Sequence, residues 1–216
     1  MAHEEGTATT ENRLHGPFHD TARQHEADRL GMLVFLASEV MLFGGLLGGA
    51  LAIRLLHPVD YGRAAAQLHL WLGGLNTAIL LTSSLLVALA VEAVRSGQAR
   101  LAAWQLRGAM LLGIAFLAVK GLEYTLEYRD GLVPGLAGAH LESLVHALFM
   151  NLYFAATGLH ALHVIGGLVL LGFAAASRLA QADRNAVVVG NIALYWHLVD
   201  VVWVFLYPTL YLARPA

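Results

Sequence analysis

Ionisable residues in the middle of apolar runs are the first chemical signal in this chain. Glu39 sits in GMLVFLASEVMLFGG, Lys120 and Glu123 in FLAVKGLEY, His160 and His163 in YFAATGLHALHVIGG, and His197 and Asp200 in YWHLVDVVWVFLY. Carboxylates and imidazoles in such company can hold a metal, ligate haem, pass protons or hydrogen-bond one another across helices. Spacing separates these chemistries. His160 with His163, and His197 with Asp200, are three residues apart, so each pair shares a helix face. Together with Glu39 or Glu123 they are the raw material of a carboxylate-histidine site, but a di-iron bundle requires a Glu-x-x-His on each of two helices, and that pattern is absent. Among His146, His160, His163 and His197 nothing selects a facing pair of haem ligands. The residues favour a buried hydrogen-bonded network in which Asp200 orients His197 or a histidine of another helix, with no metal held by this chain.

Composition narrows the field further. The chain has 216 residues, 58% hydrophobic and 13% charged, and no cysteine, which removes disulfides, thiolate metal sites, iron-sulfur clusters and thiol nucleophiles. There is no glycine-rich phosphate loop and no serine in a nucleophile elbow. A net charge of -2 without a long basic run gives no footing for nucleic acid.

The elements that must position these side chains are membrane helices. A crossing needs about 20 apolar residues, and five segments reach that length: 30–56, 68–94, 106–128, 144–176 and 186–212. The expected fold is therefore an all-α integral membrane protein, a bundle of five transmembrane helices over 30–216 behind a polar leader over 1–29. His3, His15, His19 and His25 are scattered through that leader and read as solvent-exposed. Polar joints such as RLLHPVDYGR and RSGQAR separate the spans. Arg13, Arg23, Arg29, Arg95, Arg100, Arg107, Arg178 and Arg184 fall on one side, against Arg54, Arg63, Arg129 and Arg214 on the other. This excess predicts a cytoplasmic N-terminus and a periplasmic C-terminus.

A rise of about 1.5 Å per residue puts Glu39 roughly 14 Å into the first span, near the midplane. An ionised carboxylate there costs about 2.5–3.5 kcal/mol on insertion scales. Its neighbours at three and four residues are Phe35, Leu36, Leu42 and Phe43, so its partner must come from another helix, from lipid or from water. Two readings stay open, an interhelical hydrogen-bonding group or a proton-handling or lipid-contacting residue. Gly44 with Gly48, and Gly45 with Gly49, form a small-residue stripe suited to close helix packing. Asn76, Thr77, Thr82, Ser83 and Ser84 supply interhelical hydrogen bonds in the second span.

Five segments, GMLVFLASEVMLFGG, LNTAILLTSS, FLAVKGLEY, YFAATGLHALHVIGG and YWHLVDVVWVFLY, resemble in order the signature segments of subunit III of haem-copper respiratory oxidases. The match runs from Leu30 to Leu212, and the chain looks like the five-helix bacterial form of the family. The resemblance implies a non-redox accessory subunit of the bacterial inner membrane, not catalytic alone. It would pack on catalytic subunit I, bind phospholipid, and support proton uptake and sustained turnover of a complex whose haem and copper lie in the partner. Glu39 matches the family's carbodiimide-reactive glutamate, and Glu123, His160, His163, His197 and Asp200 match its other recurrent polar positions, for which packing or lipid contact is implied. Lys120 stands where many mitochondrial-type members carry Gln, and DGLVPG with Pro208 resembles bacterial five-helix branches. One such branch accompanies nitric oxide reductases, which is the alternative parent complex. An autonomous metal or haem protein and a proton carrier built on Glu39 are the remaining alternatives.

Overall fold

The computed structural model describes residues 21–135, 143–176 and 185–214. Residues 1–20 of the predicted leader lie outside the described residues. Six helices follow one another: α1 (Thr21–Leu56), α2 (Pro58–Ala66), α3 (Leu70–Arg95), α4 (Ala99–Arg129), α5 (Leu144–Ala176) and α6 (Asn185–Leu210). Five of them, all but α2, are long and apolar enough to cross a membrane. Their order matches the five predicted spans, and their ends differ where local chemistry overrides hydropathy.

Helix α4 starts at Ala99 rather than at residue 106. The stretch ARLAAWQLR is too polar to count as span, yet Ala, Leu, Gln and Arg are strong helix formers. Arg107 lies over the Trp104 ring at 5.6 Å, one turn along the same face. The joint before it is a tight C-cap. Gly97 has φ 70°, Gly97 N–H donates to the Val94 carbonyl at 3.0 Å, and Gln98 N–H donates to the Ala93 carbonyl at 2.8 Å. These two bonds define a Schellman motif, and the αL residue at its turn is a glycine because a Cβ would be strained there. Gly131 closes α4 in the same way.

Helix α2 was hidden in a segment that reads as a polar joint. Pro58 occupies the first turn, where its missing N–H costs nothing, and Tyr61, Ala64 and Ala65 turn inward. Tyr61 Oη donates to the Thr209 carbonyl at 2.9 Å and its ring meets Phe149 edge-on at 4.8 Å, so α2 is bound to α5 and to the end of α6. Burial pushes the Tyr61 hydroxyl up to about 12, with Arg54 opposing, so it stays a neutral donor. Helix α6 runs through Pro208, which removes one backbone bond in the last turn only.

Helix α6 is the centre of the bundle. Half of its most apolar stretch is buried, against 6% for α1, which leans on α5 and α6 from the side. Trp196 and Trp203 are wholly buried on α6, and Trp196 is admitted by two glycines. A Cβ at Gly113 would stand 2.9 Å from Trp196 Cη2, and one at Gly167 only 2.6 Å from Trp196 Cε3. Close packing in this bundle therefore depends on α4 and α5 glycines. Of the α1 stripe, a Cβ at Gly49 would stand 3.4 Å from Leu152 Cδ1, an ordinary contact, whereas one at Gly44, Gly45 or Gly48 would meet nothing within 4 Å.

Candidate functional site

Helix α1 reaches the bundle through three residues of one face. Phe35 stacks on Tyr195 at 6.0 Å, Phe43 meets the His163 ring edge-on at 5.2 Å, and Glu39 lies one turn from each. Glu39 Oε2 is 2.9 Å from His163 Nε2, so the partner demanded by its depth comes from α5. His163 Nδ1 is 2.8 Å from the Leu159 carbonyl. A carbonyl only accepts, so Nδ1 carries hydrogen and Nε2 is the atom turned to the carboxyl. The Nε2–Oε2 contact is close without being a well-aligned hydrogen bond, since Glu39 Oε2 has no such bond among the described residues. One proton shared by the two groups would make them an ion pair, if held on the ring, or a neutral pair, if held on the acid. Either arrangement is neutral overall, which removes most of the cost of a lone carboxylate at this depth. Both side chains keep slight exposure at the outer face of the bundle, 13% for Glu39 and 16% for His163.

A second cluster is fully enclosed. Lys120 Nζ donates to Glu123 Oε2 at 3.0 Å and to the hydroxyls of Tyr153 and Tyr211, each at 2.7 Å. Tyr211 donates to Glu123 Oε1 at 2.8 Å and Tyr153 donates to Glu127 Oε1 at 2.5 Å. The Tyr153 and Tyr124 rings lie 4.5 and 5.0 Å from the ammonium. Helices α4 and α5 and the turn that follows α6 are thus tied by one set of charge-assisted bonds.

The third group lies between α3, α5 and α6. His197 Nδ1 is 2.6 Å from Ser84 Oγ on α3, and Trp203 Nε1 donates to Thr77 Oγ1 at 3.1 Å. Asp200 is buried, and neither of its carboxyl oxygens has a hydrogen bond among the described residues. His160 is wedged against Phe116 and Trp203, with ring centres 5.4 and 5.1 Å away, and neither ring nitrogen is bonded among the described residues. The side-chain amide of Asn76 is likewise buried and unbonded among the described residues. The structure therefore joins His197 to α3 through Ser84 and does not join it to Asp200. Three residues along a helix turn a side chain by about 60° from alignment, and here that carries Asp200 inward while His197 stays half-exposed.

The profile of the family described as "Cytochrome c oxidase subunit III" matches residues 7–214. The chain belongs to the cytochrome c oxidase subunit III family. Similar proteins include the probable cytochrome c oxidase subunit 3 of Nocardia farcinica, 30% identical over 204 residues, covering 90% of this chain and 94% of that one. The subunit 3 of Thermostichus vulcanus is 34% identical over 200 residues, 89% of this chain and 91% of that one. The "Heme-copper oxidase subunit I+III" of Aeropyrum pernix is 33% identical over 196 residues, 85% of this chain and 22% of that one.

Family membership and five apolar helices make this subunit III a multi-pass membrane protein. Among the described residues no group of three or more His, Asp or Glu is gathered as a metal site. The expected polar residues divide between the three groups: Glu39 and His163 in the first, Glu123 in the second, and Asn76, His160, His197 and Asp200 in the third. The sequence analysis named Lys120 and Glu123 within FLAVKGLEY and did not join Glu127, Tyr153 or Tyr211 to them. The spacing Lys120, Glu123, Glu127 places three charges on one α4 face and could have marked the cluster. Tyr153 and Tyr211 lie 33 and 91 residues from Lys120 and leave no local signal.

Proposed function

We propose that this chain is a non-redox accessory subunit of a haem-copper terminal oxidase in an aerobic respiratory chain. It is seated in the bacterial inner membrane with the N-terminus cytoplasmic and packs on the catalytic subunit I, which carries the haem and copper. The Aeropyrum pernix relative, whose name joins subunits I and III in one protein, supports that pairing. The observation that carries the functional reading is the Glu39–His163 pair, a carboxyl and an imidazole 2.9 Å apart that join the least covered helix to α5. Such a couple can pass a proton between its two members without leaving a net charge in hydrocarbon, and its slight exposure leaves it open to phospholipid or to a partner helix. The exposed apolar face of α1, with Leu33, Val34, Val40 and Met41, supplies the surface for those contacts. In this reading the subunit sustains proton uptake and turnover in its partner and performs no electron transfer itself.

The test is purification through an affinity tag on this chain from native membranes, followed by an optical spectrum and subunit identification. The proposal expects a haem-copper subunit I to copurify and the spectrum to belong to it. Recovery of this chain with stoichiometric haem and no such partner would overturn it, and a partner that reduces nitric oxide would assign it to the other parent complex.

A further inference from the structure

We propose that the enclosed cluster of Lys120, Glu123, Glu127, Tyr153 and Tyr211 is a buried proton-binding site, with its exchangeable proton held on Glu127 Oε2. All three ammonium protons of Lys120 are taken, by Glu123 Oε2, Tyr153 Oη and Tyr211 Oη. Both phenol protons are taken as well, by Glu127 Oε1 and Glu123 Oε1. Glu123 therefore accepts at both oxygens, one bond coming from the ammonium itself, and is the natural carboxylate partner of Lys120. Glu127 accepts at Oε1 alone, and its Oε2 has no partner among the described residues although the residue is fully buried. One ammonium cannot neutralise two carboxylates, and a buried excess negative charge with a bare oxygen is expensive. A proton on Oε2 removes that charge while leaving every bond just counted in place.

The groups that face Glu127 are Lys120, Glu123 and Tyr124 on its own helix, Tyr153 from α5, Tyr211 from the turn that follows α6 through Tyr153, and Asp130 from the turn that follows α4. This turn gives the proton a way out. Asp130 is three residues along, its side chain 56% exposed and 3.9 Å from His69 at the rim of the α2 end. Glu127 is thus walled in by the bundle and yet within one turn of water.

The test uses the assembled complex and compares Glu127→Gln with Glu123→Gln and Lys120→Met. A glutamine copies the shape and hydrogen-bonding pattern of a protonated glutamate, so Glu127→Gln is expected to assemble and to move the unfolding midpoint by less than about 2 °C. Glutamine at 123 sets an amide NH2 against the ammonium or the Tyr211 hydroxyl, so Glu123→Gln is expected to lower the midpoint by more than twice that, as is Lys120→Met. The reverse order, or failure of Glu127→Gln to assemble where Glu123→Gln does, would overturn the proposal. Infrared spectra of wild-type complex with 13C-labelled glutamate provide the second readout. A protonated glutamate C=O band is expected that shifts in D2O, responds to pH and disappears in Glu127→Gln. Absence of that band from the wild type, its survival in Glu127→Gln, or its replacement by a sodium-dependent carboxylate signal would each refute a proton at this oxygen.

Discussion

Removing His163 should expose how much the membrane charges for Glu39. In His163→Leu the carboxyl loses the imidazole nitrogen that stands 2.9 Å from it, and the neighbours at three and four positions on α1 are all apolar. The side chain is 13% exposed, so water replaces the imidazole only in small part. Insertion scales put an ionised carboxylate at this depth at about 2.5–3.5 kcal/mol, and taking up a proton lowers that cost without restoring the lost partner. We therefore expect His163→Leu to destabilise the assembled subunit by about 2 kcal/mol, once the ordinary loss of the Leu159 carbonyl bond is included. Glu39→Leu leaves a neutral imidazole still bonded to Leu159 and should cost about 1 kcal/mol or less. The double variant has no orphaned acid, so its cost should fall below the sum of the singles by at least about 1 kcal/mol. The assay is thermal unfolding of the purified complex in one detergent, read as retention of this chain. Additivity within about 0.5 kcal/mol would refute the coupling and with it the pair as a unit.

Two further outcomes follow from packing and from α2. Gly167→Ala places a Cβ 2.6 Å from Trp196 Cε3, and a wholly buried indole cannot move aside, so the subunit should lose about 1–3 kcal/mol in the same assay. The Tyr61 hydroxyl is raised from 10.0 to about 12 by burial, so its bond to Thr209 is fully present below pH 10 and is lost as the pH rises toward 12. Protease accessibility of the α1–α2 junction should rise across that window in the wild type, and Tyr61→Phe should show the accessible state already at neutral pH.

Hydropathy made the five spans legible because lipid forces every spanning helix to be almost continuously apolar. It failed at α2, a short helix that carries Asp60 and Arg63, and at the first turns of α4, which carry Arg100 and Gln105 beyond the apolar span. Depth alone showed that Glu39 needs a partner from outside α1, and it could not choose His163, because that choice depends on how α1 and α5 are rotated against each other. The same gap explains His197 and Asp200. Their spacing put them on neighbouring faces of one helix, while the actual partner of His197 is Ser84, 113 residues earlier, a hydroxyl indistinguishable in sequence from its neighbour Ser83. Ser83 instead donates to the Ala109 carbonyl on α4. The Lys120 cluster shows the limit most plainly, since its chemistry is completed by two tyrosines that only the tertiary fold brings to α4.

The most direct measurement of the account is the activity lifetime of the purified oxidase during continuous turnover, compared for the intact complex, the complex stripped of this chain, and the Glu39→Gln complex. The account predicts equal initial rates and unchanged haem content in all three, with activity decaying several-fold faster when the chain is missing and measurably faster in Glu39→Gln. Equal decay in all three preparations, or loss of haem along with the chain, would contradict it.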